Sequence, residues 1–215
     1  MDFEQVFERE RARYEDGIAR LDPEQLVRIG NAAYGAGLTL LMLGRDAEAR
    51  EWLDRAAARW RESWEHATPT SWGRPIGTIK AALIAGRDDD AADFAHWTLA
   101  LGSEEAESPI GRYAATLALL TLERWADAQH VASTLRARED FPPAVAEALA
   151  LIAAGDPAGY TEAIEAVLAS FETRDEYLED VPVADTAMAL QALARKRGIA
   201  GELPASPVLP LRTGV

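Results

Sequence analysis

Histidine and cysteine, the side chains most often used in acid–base and metal chemistry near neutral pH, are scarce or absent in this chain of 215 residues. The three histidines, His66, His96 and His130, lie too far apart in the sequence to match the spacing of a helical zinc site. There is no cysteine, which excludes disulfides, thiolate nucleophiles and cysteine-ligated metals. We therefore expect structural or surface roles for the histidines.

Four aspartates, Asp88, Asp89, Asp90 and Asp93, offer carboxylate oxygens that could bind a divalent cation. They lack the alternating ligands and final glutamate of a calcium-binding loop, and the triplet leads directly into a helix. Carboxylates in the first turn stabilise a helix by opposing its dipole, so we favour helix capping. An enzyme that uses a metal bound here remains the alternative.

The known nucleotide-binding and hydrolase motifs are also missing from the sequence. It contains neither a Gly-x-x-x-x-Gly-Lys-Ser/Thr phosphate loop nor a Gly-x-Ser-x-Gly nucleophile turn. We therefore predict no catalytic, cofactor-binding or metal-binding residues, and the sequence favours a protein that is not an enzyme.

Four tryptophans fall into two groups. Trp52, Trp60 and Trp64 follow each other at spacings of eight and four residues, which places them on one helix face and predicts core packing. Trp72 lies in a proline-rich break beside Arg74. A loop tryptophan can anchor a protein partner, so Trp72 is a candidate contact residue. The alternative is that its ring closes the end of the helical stack.

The charge distribution is the most informative feature of the sequence. The chain carries 36 acidic and 22 basic residues, a net charge of −14, which argues against nucleic-acid binding because that needs a basic surface. Residues 139–180 hold 11 of the acids and one base, Arg174. Such a field accelerates encounter with a basic protein, and the alternative is a solvated face. The candidate partner contacts here are Glu162, Glu165, Glu172, Asp175, Glu176, Glu179 and Asp180.

The elements that must position these residues are helices. Apolar residues recur with helical spacing almost throughout, and alanine and leucine dominate over β-branched residues. Tight turns near Gly44, Gly86, Glu123 and Gly155 each join an apolar helix end to a helix that opens with small residues. The sequence therefore predicts an all-α fold of about ten helices without a sheet, an irregular stack of antiparallel helical hairpins.

The spacing of these turns is similar to that of tetratricopeptide repeats but irregular. The turns are 42, 37 and 32 residues apart, whereas tetratricopeptide repeats hold a period of about 34. A compact irregular helical bundle is the alternative to a tetratricopeptide-like stack.

Local signals mark helix starts and close helix contacts. Asp22-Pro23 has the aspartate and proline that begin many helices. Gly30, Gly35 and Gly37 lie within an uncharged helical stretch, where small residues predict close packing of two helices.

We expect a single all-helical domain. Residues 1–16 contain no apolar core of a signal peptide, and no run of 18 apolar residues predicts a membrane span, so we expect a cytoplasmic protein without membrane contact. The domain has N-terminal helices over 1–67, repeat-like hairpins over 76–200 and an extended tail over 201–215.

The C-terminal part resembles a known family. Residues 192–199, ALARKRGI, read as a helix that ends in basic residues and glycine, and residues 206–210, SPVLP, follow as an extended close. With the hairpin over 149–171, this pattern resembles the all-helical, repeat-like polymorphic-toxin immunity proteins of the family numbered 49. The resemblance extends over residues 30–211.

The resemblance implies a non-enzymatic protein that neutralises a toxin by stoichiometric binding, and it carries over no catalytic residues. A basic toxin or enzyme is the expected partner. The alternative function is a general tetratricopeptide-like scaffold that binds a peptide between its helices.

Overall fold

Helices and short turns make up the computed structural model, which describes residues 1–20 and 25–211. Within these ranges there are ten α-helices and no strand, so the predicted all-α class is confirmed. The predicted helix start at Asp22-Pro23 lies outside the described residues. The helices are α1 (Phe3–Arg20), α2 (Leu26–Met42), α3 (Asp46–Ser63), α4 (Gly73–Ala85), α5 (Asp88–Ala100), α6 (Pro109–Thr121), α7 (Trp125–Arg136), α8 (Pro143–Ala154), α9 (Pro157–Glu172) and α10 (Asp185–Arg197).

The four predicted hairpin turns all contain a residue in the left-handed conformation. Gly44, Gly86 and Gly155 have φ values of 72°, 67° and 72°. The third turn places Glu123 in the same region, with φ of 58°. Because a Cβ atom is disfavoured there, the three glycines fit their turns and Glu123 is strained.

The stack is built from consecutive helix pairs. Each helix from α1 to α9 packs against the next, and α4 also contacts α6, which in turn contacts α8. Helices α4, α6 and α8 therefore form an inner layer. Helix α10 contacts α4, α8 and α9, so it lies across this inner layer and does not extend the stack.

Glycines on α2 and α4 let the large side chains of α3 approach closely, as predicted for Gly30 and Gly37. A Cβ atom at Gly30 would lie 2.7 Å from the ring of Trp60, and one at Gly77 would lie 2.6 Å from the same ring. A Cβ atom at Gly37 would lie 2.9 Å from Leu53. The indole of Trp60 thus sits between two helices that have no side chain at the contact points.

The tryptophans divide between two cores. Trp52 and Trp60 are buried in the N-terminal core, which confirms the predicted packing for these two. Trp64 lies on the 3-10 turn after α3 and is only half-buried, and it packs against the second core. Its ring centroid is 5.7 Å from that of Trp72 and 6.0 Å from that of Trp97.

The tail contains no helix over residues 201–211, and it is attached to the stack. The backbone N–H of Ala184 donates to the carbonyl of Val208 at 2.8 Å, and the Val208 side chain is buried. The hydroxyl of Ser206 donates to Oε1 of Glu172 at 2.6 Å. The tail therefore fixes the segment before α10 against the end of α9.

Candidate functional site

The residues that could have formed a metal or acid–base site are dispersed. All three histidines are exposed on different elements, and the described part of the chain holds no group of three potential metal ligands. Asp88, Asp89 and Asp90 form the first turn of α5, where their charges oppose the helix dipole, but the N-cap residue is Arg87 and no side chain caps the helix by a hydrogen bond. Asp93 is exposed further along the same helix. Among the described helices, none is both long and apolar enough to cross a bilayer.

Most of the predicted partner contacts are exposed on α9 or directly after it, and we call these five residues the acidic face: Glu162, Glu165, Glu172, Asp175 and Glu176. Helix α9 turns its apolar side into the core, and the spacing of the three glutamates leaves them together on the opposite side. All five side chains are exposed, and none makes an ion pair with a described residue. The acidic face is therefore open to an external cation.

The single base in this segment does not neutralise the acidic face. The guanidinium of Arg174 lies 3.5 Å from the centroid of the Phe171 ring, and its Nε donates to the carbonyl of Ser170 at 3.2 Å. Arg174 thus contacts the last turn of α9 and forms no ion pair with a described carboxylate.

Glu179 does not belong to the acidic face, which corrects the sequence-based assignment. Its carboxylate pairs with Arg13 of α1, and its carbonyl accepts from Arg9 at 2.7 Å. The Glu179 side chain is only 12% exposed. Arg13 also donates to the fully buried Glu10 at 2.8 Å, so Glu179 closes an internal ion-pair network. Burial lowers the pKa of Arg13, but Glu179 and Glu10 outweigh it and raise that pKa.

Asp180 remains exposed, but it lies apart from α9. It ends the 3-10 turn Leu178–Asp180, which contacts α2, and it has a φ of 56°. The structure thus assigns Asp180 to the surface beside α2.

Trp72 is a core residue, which corrects its assignment as a partner contact. Its side chain is 6% exposed, and its ring packs against Trp64. A Cβ atom at Gly111 would lie 2.9 Å from the indole Nε1, so the ring sits directly on helix α6. The ring lies within the second core beside α6, so it does not close an end of the stack either.

A buried polar cluster links α2, α4 and α10, and sequence reasoning missed it. Nζ of Lys80 donates to Oδ2 of Asp185 at 2.6 Å and to the hydroxyl of Thr186 at 2.9 Å. The hydroxyl of Tyr34 donates to the same Asp185 oxygen at 2.9 Å. The Lys80 and Asp185 side chains are 11% and 14% exposed.

The charge of Lys80 controls the titration of its partner. Burial alone would raise the pKa of Asp185, but the charge and hydrogen bonds of Lys80 together with the Tyr34 hydroxyl lower it. Burial raises the pKa of Tyr34 well above its usual value, and the charge of Asp185 raises it further. At neutral pH the cluster therefore holds an ionised Asp185 beside a neutral tyrosine.

One sequence signal could have pointed to Lys80. It is the only charged residue between Pro75 and Gly86, a stretch that reads as a buried helix. Because a charge in a buried helix needs a partner, Lys80 required an anion from elsewhere. Asp185 lies 105 residues further along the chain, and no local pattern connects the two.

A cavity of about 370 Å³ adjoins this cluster, and we call it the central pocket. Its polar lining includes Asn31, Tyr34, Arg74, Lys80 and Asp185. Its apolar lining includes Val27, Trp60, Ile76 and Leu178.

A second cavity, of about 520 Å³, lies between α4, α10 and the tail. Its floor is apolar, with Leu83, Met188 and Leu203, and Arg50 and Arg195 stand at its rim. We call it the tail groove.

Comparison of the chain with protein-family models, with curated proteins and with solved structures finds no match. The acidic face and the two cavities are therefore the features of the molecule that bear on its function.

Proposed function

We propose that this chain is a non-enzymatic, cytoplasmic protein-binding module that neutralises a basic toxin or enzyme by stoichiometric binding, as an immunity-type protein does. The observation that carries the proposal is the acidic face, whose five carboxylates are exposed and lack a cationic partner among the described residues.

Other acids in the same part of the chain are paired. Asp140 bonds to Arg138 at 2.7 Å, and Glu147 accepts from Nε of Arg136 at 2.6 Å. Like charges on one helix face repel each other, so an unpaired acidic cluster opposes folding to a small degree. A basic partner would remove that repulsion on binding, and the local field would speed its approach.

Charge reversal of the acidic face tests the proposal. The variant E162K/E165K/E176K leaves Glu172 unchanged, because Ser206 donates to Glu172 and fixes the tail. The matched control is E65K/E107K/E202K, which makes the same change in net charge at exposed acids outside the face. Each immobilised protein is incubated with host lysate at low and high salt, and retained proteins are identified by mass spectrometry.

We expect the unmodified chain and the control to retain the same basic protein, weakly at high salt, and the acidic-face variant to lose it. The purified partner should then bind in a one-to-one complex and lose its own activity. Equal retention by the acidic-face variant, or a bound partner that keeps its activity, would contradict the proposal.

A second candidate function is a scaffold that binds a peptide, and the tail groove favours it. The groove combines apolar residues with two arginines and one aspartate, Asp46, so its lining has a net positive charge and suits a peptide that has both apolar and acidic side chains. The variant R50E/R195E separates the two functions. A scaffold would lose its partners in this variant and keep them in E162K/E165K/E176K, which is the reverse of the result expected above.

A further inference from the structure

Arg74 is a partly buried cation whose terminal nitrogens are left free by the described residues. Its Nε donates to the hydroxyl of Ser63 at 2.8 Å, and that hydroxyl donates to the carbonyl of Trp60 at 2.8 Å. Ser63 is itself buried. One edge of the guanidinium is therefore fixed, and its Nη1 and Nη2 atoms have no hydrogen-bond partner in the part of the chain that the structure describes.

Among the described residues, no carboxylate pairs with Arg74 to compensate for its partial burial. Desolvation lowers the pKa of Arg74, and no anion among the described residues opposes that shift. In contrast, hydrogen bonds that Arg87 and Arg138 donate to carboxylates raise the pKa of these two arginines. Arg74 is only partly buried, so its terminal nitrogens remain accessible and are available to an anion from outside the described chain.

The central pocket beside Arg74 offers space for that anion. Its volume of about 370 Å³ lies within the range of about 300–1,000 Å³ that is typical of small-molecule sites. Helix α4 begins at the pocket with Gly73, and its first turn has no acidic residue and no side-chain cap. The positive end of the helix dipole therefore adds to the charge of Arg74.

The lining charges indicate a single negative charge on the occupant. Arg74 and Lys80 are positive and Asp185 is negative, which leaves one positive charge uncompensated. Lys80 is already occupied by Asp185 at 2.6 Å. A dianion would leave one charge unmatched, whereas a monoanion balances Arg74.

The apolar residues that line the central pocket indicate that its occupant has an apolar part next to its charged group. Val27, Trp60 and Ile76 line the pocket, and Leu178 stands beside them with 46% of its surface exposed. We propose that the central pocket binds a small monocarboxylate with an apolar body. Its two oxygens accept hydrogen bonds from Nη1 and Nη2 of Arg74, and its body lies against Trp60, Ile76 and Leu178. This site is separate from the acidic face, so its test does not depend on the proposed function.

Calorimetric titration of the full chain with benzoate tests this site. Benzyl alcohol keeps the ring without the charge, and inorganic phosphate keeps a charge without the apolar body. We expect one benzoate to bind per chain with a saturable isotherm, and neither of the other two probes to bind measurably. No saturable binding of benzoate, or equal binding of benzyl alcohol, would overturn the proposal.

Two variants of Arg74 and one control locate the bound carboxylate. We expect R74Q to weaken benzoate binding by at least about tenfold, because it removes a charge-assisted hydrogen-bonded pair. R74K keeps the charge but loses the planar fork, and we expect intermediate binding. The control R195Q alters the tail groove and should bind like the unmodified chain.

Circular dichroism melts verify that each variant is folded before titration. Unchanged affinity in R74Q, or a loss of affinity in R195Q instead, would overturn the assignment to the central pocket.

Discussion

Lys80 and Asp185 show how two residues can connect distant parts of this chain. Their ion pair joins α4 to the first turn of α10, and Tyr34 of α2 completes it. A buried ion pair contributes little net stability, but removal of one partner leaves a charge in a medium that solvates it poorly. Substitution of Asp185 should therefore be costly, and the cost should depend on pH.

We predict that D185N lowers the free energy of unfolding by about 3–5 kcal/mol, because Lys80 then lacks its anion. Urea denaturation, followed by circular dichroism, measures this loss. The matched control D54N removes an exposed partner of Arg87 and should cost less than about 1 kcal/mol. Similar losses for both variants would show that the Lys80–Asp185 pair has no special role.

The difference in stability between the unmodified chain and D185N should change with pH in a defined direction. Because the folded-state pKa of Asp185 is lowered, its contribution is fully present above the unfolded-state pKa of about 3.9 and is lost as pH falls through the folded value. The stability gap between the unmodified chain and D185N should therefore be constant from about pH 5 to 7 and narrow only below about pH 4. A gap that narrows between pH 7 and 5 would contradict this interpretation.

At the scale of the elements, the packing of α3 between α2 and α4 depends on glycines at the contact points, because a glycine has no side chain. The Trp60 ring occupies the space that a Cβ atom would take at Gly30 or at Gly77. At both glycines the nearest atoms belong to the rigid ring of the buried Trp60, so α2 or α4 would have to move away from α3 to make room for a methyl group.

We predict that G77A destabilises the fold by about 1–3 kcal/mol through overpacking against Trp60. The matched control is G73A in the same helix, where an added Cβ atom meets nothing within 4 Å. G73A should be neutral or should stabilise by about 0.5 kcal/mol, because alanine favours the helix. Thermal melts of both variants measure these changes in stability, and an unchanged stability of G77A would refute the proposed close contact.

The four hairpin turns differ in how well their left-handed residues tolerate a positive φ angle. Glu123 occupies a left-handed position that glycine fills at Gly86, and its carboxylate lies 3.8 Å from Nζ of Lys196. We predict that E123G stabilises the fold by about 0.5–1 kcal/mol, since relief of backbone strain exceeds the loss of a long, exposed ion pair.

Replacement of glycine at the Gly86 turn should have the opposite effect on the stability of the fold. G86A places a Cβ atom in open space but in the left-handed region, so we expect a loss of about 1 kcal/mol. Chemical denaturation of the two variants side by side measures both effects. Destabilisation by E123G would show that the Lys196 contact outweighs the strain at Glu123.

At the scale of the whole molecule, local signals predicted the elements and could not predict their long-range contacts. Gly44, Gly86 and Gly155 mark helix ends by themselves, because a left-handed residue after an apolar helix is a property of a few adjacent positions. The ten helices and their order could therefore be predicted before any contact was known.

The candidate site was only partly predictable for the same reason. The acidic face could be anticipated, since helical spacing places its three glutamates opposite the buried side of α9. The pairing of Glu179 with Arg13 joins residues 166 apart, and the burial of Trp72 depends on where α6 passes. Arg74 and the central pocket required α2, α3 and α4 to be placed in space.

The position of α10 has a consequence for synthesis of the chain. Helix α10 covers the inner layer. Its first residue, Asp185, binds Lys80, which lies 105 residues earlier in the chain. A ribosome that adds about 5–20 residues per second reaches Asp185, the first residue of α10, about 5–20 s after Lys80. During that interval the nascent hairpins form from local contacts while the apolar surface under α10 stays uncovered. Nascent chains paused before Asp185 should therefore expose this surface to chaperones, and release of α10 from the exit tunnel ends that exposure.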